Sequence, residues 1–205
     1  MELPHTLFDI LGENEDEIYG RLLLFFSSGT SNDGILKYIN SVRARVLGSR
    51  KSGGFAITIR NSGLILLEAS SSALYDFTSF LYTEQESHPF ASLRVGCFCD
   101  DVNNLVTSAW STHSIPAAGK EGSTQIDDVT RTVHDLYSNC ISISKSSSTL
   151  DTVSTFPPSE VMNALSVSSG LMTIPAFYRT YCAPVEMSSL DQETWPLQDI
   201  NSVIF

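Results

Sequence analysis

The chain has 205 residues, of which 42% are hydrophobic and 17% are charged, a balance that excludes a disordered chain and allows one well-buried core. Its net charge is −11 and its isoelectric point is near 4.6. Because nucleic acids and anionic membranes bind basic surfaces, this charge excludes general binding of either one.

Residues 1–18 combine an apolar cluster with the acidic run ENEDE, which predicts an arm or a short helix that docks by its apolar side. The segment lacks the basic start and the long apolar core of a secretory signal. No apolar run approaches the ~18 residues that a membrane-spanning helix needs. We therefore expect neither a leader nor a membrane anchor.

A strand and a helix are predicted next. The sequence RLLLFFSS is a short apolar run closed by Ser-Ser-Gly, which is typical of a buried strand. In SNDGILKYINSVRARVL the apolar residues recur at helical spacing, which predicts an amphipathic helix capped by Ser31 or Asn32. The glycines of GSRKSGG end that helix.

The following stretch predicts a hairpin, a second helix and two more strands. FAITI and GLILLEA are strands joined by an Asn-Ser-Gly turn, and Ser71 or Ser72 caps the next helix. SLRVGCFCDD predicts the fourth strand, and NNLVTSAWST leads to a short fifth strand. The order β-α-β-β-α-β predicts an α+β fold of the ferredoxin-like type, with both helices on one face of the sheet.

The second face of this sheet also needs a cover. The run Leu64–Leu67 is apolar throughout, and alternate side chains of a strand point to opposite faces. An apolar stripe at helical spacing in residues 123–140 predicts the covering helix. Residues 141–155 are rich in Ser and Thr and predict a linker. FPPSEVMNALS and IPAFYRTYCAPV predict two short helices, the second ended by Pro184.

The predicted organisation therefore has three parts. They are an N-terminal arm (1–18), a ferredoxin-like domain (19–117), and a C-terminal helical extension and tail (118–205) with the Ser/Thr-rich linker near 141–155.

The chain shows no pattern that presents a catalytic nucleophile or a phosphate cradle. Its four cysteines are predicted to be free thiols. Cys97 and Cys99 share one face of a strand, but a zinc site would need two more converging ligands. Asp100 and Asp101 form an acidic pair that we expect to face water at a strand end. We predict no enzymatic activity, no metal and no cofactor.

Candidate partner-binding residues come from two regions. Six of the twelve Lys and Arg residues lie between positions 37 and 60, where no Asp or Glu occurs. They form either a solvated, soluble surface or a docking patch for an acidic partner, and they are Lys37, Arg43, Arg45, Arg50, Lys51 and Arg60. The aromatic tail around Trp195 and Phe205 docks either on a partner or on its own domain.

The chain resembles the flavin-binding blue-light sensor (BLUF) domain. In that family the third strand ends in Leu-Glu-Gly and a Trp-Ser pair follows the fourth strand; here Leu67-Glu68-Ala69 and Trp110-Ser111 match these marks. The resemblance implies that Glu68 belongs to the strand-to-helix turn, with its charge near the first amides of the next helix.

The flavin-handling positions of that family differ in this chain. Its photoactive Tyr falls at Phe26, its third-strand Gln falls at Ile65, and its flavin-contacting Asn aligns near Arg43. Because the family's photocycle rearranges a hydrogen bond between the Tyr and the Gln, the resemblance implies a non-photoactive protein with a degenerate flavin site.

A second resemblance covers about residues 19–198. LLEASS, AWS, PPSEVMNAL and YCAPVEMSSLDQETWP occur in the order of the testis-expressed protein 47 family. This resemblance implies a non-catalytic structural or adaptor protein of the motile cilium or flagellum, bound to other axonemal proteins at the radial spoke or the nexin-dynein regulatory region. The alternative is a sensor that binds flavin or another small ligand between the two helices of the ferredoxin-like unit.

Overall fold

The computed structural model describes residues 18–102, 104–107, 109–116, 126–145 and 156–183. The first six elements follow the predicted order. They are β1 (Tyr19–Ser28), α1 (Asn32–Leu47), β2 (Ser52–Ile59), β3 (Ser62–Ser70), α2 (Ser71–Thr83) and β4 (Phe90–Val102). The later elements are β5 (Trp110–Ile115), α3 (Val129–Lys145), α4 (Ser159–Val167), β6 (Met172–Thr173), α5 (Ile174–Phe177) and a π-helical turn (Tyr178–Cys182).

The strands form one sheet in the order β5-β2-β3-β1-β4-β6. β3 pairs antiparallel with β1 and β2, and β4 pairs antiparallel with β1. β5 extends the sheet in parallel beside β2, and β6 adds a two-residue antiparallel strand beside β4. The four central strands thus have ferredoxin-like topology, which confirms the predicted α+β fold.

Each face of the sheet carries its own apolar core. Alternation along β1 sends Leu22, Leu24 and Phe26 to the face covered by α1, α2 and α5. It sends Leu23 and Phe25 to the opposite face, against α3 and α4. The predicted cover for the second face is therefore present, and α4 shares that role through Met162 and Leu165, both fully buried.

The predicted helix caps were only partly correct. Ser31 caps α1 as predicted, and its hydroxyl accepts a hydrogen bond from the Gly34 amide at 3.3 Å. The residue that precedes α2 is Ser70, not Ser71 or Ser72, because β3 continues without a break into the helix.

The hairpin turn also lies earlier in the chain than predicted, at residues 60 and 61 and not at the Asn-Ser-Gly of residues 61–63. Arg60 takes a positive φ of 53° in the connection between β2 and β3, whereas Gly63 belongs to β3. The glycine is needed inside the strand, because a Cβ there would collide with the Phe26 ring and the Ile57 carbonyl.

The helix on the second face lies further towards the C-terminus than predicted, since it begins at Val129 and not near residue 123. α3 continues to Lys145, so residues 141–145 of the predicted linker are helical. The hydroxyls of Ser142 and Ser144 donate to the carbonyls of Ser138 and Cys140 one turn earlier, which lets serines remain inside the helix. Residues 146–155 lie outside the described residues.

Other predictions also fall outside the described residues, namely the arm up to residue 17, Pro184 and the tail with Trp195 and Phe205. Within the part of the chain that the structure describes, no helix combines the length and apolar character needed to cross a bilayer.

Candidate functional site

A buried carboxylate near the end of β3 is the most polar point of the core. Glu68 is 0% exposed and lies beside Arg21 of β1, whose Nε donates to it at 2.5 Å. The Thr107 amide donates at 2.6 Å, the Val106 amide at 3.1 Å, and the Thr107 hydroxyl also donates. Four donors therefore satisfy this charge, as burial requires.

These contacts attach the loop between β4 and β5 to the sheet. Arg21 also donates to the Asn104 carbonyl at 3.1 Å. Burial lowers the pKa of Arg21, but its hydrogen bonds with Glu68 and Tyr137 outweigh that effect and raise the pKa above its ordinary value. The expected place of Glu68, in the strand-to-helix turn, was wrong. The residue lies within β3, and its partners come from a loop 38 and 39 positions away in sequence.

One glycine permits this arrangement. Gly53 in β2 faces the same loop, and a Cβ at that position would collide with both the hydroxyl and the carbonyl of Thr107. We call Glu68, Arg21 and Thr107 the Glu68 cluster. Its hydrogen bonds attach the loop to the sheet. None of its three residues lines either of the two cavities beside β4.

The two positions that correspond to the flavin-handling Tyr and Gln are part of the apolar core. Phe26 is 0% exposed and Ile65 is 1% exposed, and both belong to the cluster beneath α1 and α2. The Phe26 ring lies 5.3 Å from the Phe90 ring and directly over Gly63. Neither side chain offers a hydrogen bond, and both occupy the space between helices and sheet with hydrocarbon.

Arg43, the third flavin-related position, makes contacts within its own chain. It donates to the Ser52 hydroxyl at 2.9 Å, and its guanidinium lies 5.4 Å from the centre of the Trp110 ring. The Trp110 indole nitrogen donates to the Asn40 side chain at 2.7 Å. Burial lowers the pKa of Arg43 below its ordinary value. Together these contacts attach β5 to α1.

Most of the other cations between residues 37 and 60 also have intramolecular neighbours. Arg45 lies 5.0 Å from the centre of the Phe80 ring, and Lys51 lies 4.9 Å from that of Tyr19. Arg50 pairs with Asp76 at 2.7 Å, and Arg60 pairs with Glu160 at 3.6 Å. Lys37 is exposed on α1. The structure thus distributes these cations over several separate contacts, and a charge reversal at three of them would disturb the fold as well as any docking.

Two of the four cysteines have thiols of strongly raised pKa. The sulfurs of Cys97 and Cys99 lie 3.6 Å apart on β4, and burial, aided by Cys99, raises the pKa of Cys97 to about 12. Burial likewise raises the pKa of Cys140 to about 12. Because the thiolate is the reactive form, both groups are poor nucleophiles at neutral pH. Within the described ranges no three His, Cys, Asp or Glu side chains converge on a possible metal position.

A groove at the outer edge of the sheet was not predicted from the sequence. Two adjoining cavities of about 380 and 290 Å³ lie beside β4 and share Phe98, Asp100, Phe177 and Tyr181 in their walls. We call this surface the β4 groove. The clue in the sequence was the aromatic density of AFYRTYC, next to a strand that ends in an acidic pair.

Comparisons with known proteins give distant structural neighbours only. No family model and no curated protein matches the chain. A bacterial light-regulated adenylyl cyclase aligns with a TM-score of 0.38 and 12% identity, over 72% of this chain and 39% of the cyclase. The BLUF domain of BlrP1 aligns with a TM-score of 0.36 and 10% identity, over 47% of this chain and 64% of that domain. The function is therefore inferred from the geometry of the site.

Proposed function

We propose that this protein is a non-catalytic structural or adaptor protein that uses a BLUF-like fold for its shape and acts through protein–protein contacts. The observation that carries the proposal is the burial of Phe26 and Ile65 at 0% and 1% exposure, where flavin chemistry would need a hydroxyl and an amide. A ligand held between α1 and α2 would have to displace these core side chains, at a cost of several kcal/mol. In this proposal the protein is non-photoactive and binds no flavin.

The absence of enzymatic activity is part of the same proposal. The partly buried thiol of Cys97 and the buried thiol of Cys140 are held protonated near neutral pH, and the polar atoms of the Glu68 cluster are occupied by one another. General acid–base or nucleophilic work would need such groups free and facing a substrate.

The cellular setting that we propose is the axoneme of a motile cilium or flagellum, with other axonemal proteins as partners. Its support is the ordered set of short motifs that resembles the testis-expressed protein 47 family. Assignment to the radial spoke or to the nexin-dynein regulatory region rests on the same resemblance.

Localisation with crosslinking tests this function. Tagged protein should remain on axonemes after detergent removes the ciliary membrane, and short-range crosslinks should join it to axonemal subunits. A diffuse cytosolic signal that is absent from cilia would contradict the proposal. Copurification of stoichiometric flavin would instead favour a ligand-binding sensor.

A further inference from the structure

The outer edge of β4 is only partly paired. β6 pairs with Arg94 and Val95, and the chain then leaves the sheet. From Gly96 towards Val102, no further strand pairs with this edge in the part of the chain that the structure describes. An open edge presents unpaired amides and carbonyls, and these can form main-chain hydrogen bonds with an added strand.

The β4 groove lies along this open edge. Val95, Gly96, Cys97 and Phe98 form one wall of the larger cavity, and Leu171, Met172 and Tyr181 are among the residues of the other. Bulges near Gly96 and after Cys99 bend the strand beside the groove. An extended segment added to the edge would place alternate side chains into this recess, whose walls include Phe98, Leu171 and Met172.

Three large hydrophobic side chains, two of them aromatic, are exposed around the groove. Tyr181 is 61% exposed, Met172 is 41% exposed and Tyr75 is 40% exposed. The Tyr181 ring rests on Phe177 with centroids 5.0 Å apart, and Phe177 rests on Phe98 at 5.3 Å. Such rigid aromatic rings are typical anchors of protein interfaces.

Charge distinguishes among the possible occupants. Asp100 is exposed and is the one charged residue among the described residues that line the two cavities. The chain's own terminal segments are acidic, since residues 1–17 contain six Asp or Glu and residues 184–205 contain four, with no Lys or Arg in either. A second copy carries the same net charge of −11. Either terminal segment would bring net negative charge towards Asp100, and a second copy would approach against its own net negative charge.

We propose that the β4 groove binds an extended segment of a partner protein, added as a strand to the open edge of β4, in which a basic residue and aromatic or aliphatic residues occupy alternate positions and so share one face. Main-chain hydrogen bonds hold the segment, its apolar side chains enter the recess beside Phe98 and Tyr181, and a Lys or Arg faces Asp100. The β4 groove would then be the docking surface of the proposed adaptor. Only the identity of the partner rests on the proposed function.

Fluorescence anisotropy of labelled peptides tests the proposal on the full chain. The probe is a peptide of about eight residues, the length of a typical strand, in which Phe, Val and Lys occupy alternate positions and Ser occupies the positions between them. Its controls are the same peptide N-methylated at alternate amides, one with Glu in place of Lys, and one with Ser in place of Phe and Val. We expect saturable binding of the first peptide and at least about tenfold weaker binding of each control.

Matched protein variants locate the binding surface. Asp100→Lys and Tyr181→Ala change exposed side chains, so both should fold, and each should weaken binding by about five- to tenfold. Asp135→Lys makes the same charge change at an exposed position of α3, on the other face of the sheet, and should leave binding within about twofold. Amide exchange should slow in β4 residues 96–100 when peptide is bound.

Several outcomes would overturn the proposal. The first is that the Lys-containing peptide shows no saturable binding. The second is that the N-methylated peptide binds as tightly as the unmodified one. The third is that Asp100→Lys and Asp135→Lys weaken peptide binding equally. If the β4 amides exchange slowly without peptide, and exchange faster once residues 184–205 are deleted, the edge is paired with the chain's own tail. Dimerisation abolished by Asp100→Lys would assign it to a second copy. Failure of axonemal localisation with peptide binding intact would contradict the proposed function and leave this surface standing.

Discussion

Removing the Glu68 carboxylate should be the most damaging single polar change in the described fold. Glu68→Ala deletes the shared acceptor of the Arg21 guanidinium, two loop amides and the Thr107 hydroxyl, in a position with no solvent exposure. Arg21 keeps its bond to the Asn104 carbonyl, but its charge loses the buried counterion. Breaking a buried pair in this way costs about 3–5 kcal/mol, a large part of the stability of an ordinary domain.

Urea denaturation followed by circular dichroism measures that loss, which should also lower Tm by about 10 °C. The matched control is Glu160→Ala, which removes another Arg-paired glutamate whose side chain is 18% exposed and whose partner lies 3.6 Å away. The control should cost less than about 1 kcal/mol. Equal losses in the two variants would refute the structural role assigned to the Glu68 cluster.

Three other predictions concern the core and the thiols. Gly53→Ala should displace the loop at Thr107 and cost about 1–3 kcal/mol in the same denaturation assay, whereas no loss would contradict the close approach seen there. Ile65→Gln should bury an amide without partners and cost about 2–4 kcal/mol, with Ile65→Leu as a milder control; a stable Gln variant would indicate a polar pocket. Cys97 and Cys140 should resist alkylation in the native protein near neutral pH and react after denaturation. Since the folded state raises the pKa of each to about 12, the stabilising effect of their buried neutral forms is present below pH ~8.5 and is lost as the pH rises towards 12.

The sequence was sufficient for the order of the first six elements because each one carries its own local signal, whereas the two-residue β6 was not predicted. The apolar run of β1, the helical periodicity of α1 and the glycines after it need no knowledge of distant residues. The cover on the second face also followed from the sequence, since the all-apolar run Leu64–Leu67 requires neighbours on both sides.

The site depended on contacts that local patterns do not encode. Glu68 looked like the end of a strand, and its partners Val106 and Thr107 lie in a loop without periodicity. The β4 groove forms only where α5 and the π-helical turn pack beside β4, so Phe98 and Tyr181, 83 positions apart, could not be paired from the sequence.

Flavin titration of the purified full chain tests the central claim most directly, namely that this fold is retained for its shape and not for a bound chromophore. The protein should purify without flavin absorbance, and added FMN or FAD should keep the fluorescence of free flavin at every protein concentration. Saturable quenching with one flavin per chain would contradict the account, because Phe26 and Ile65 could not then fill the space between the helices and the sheet as they do here.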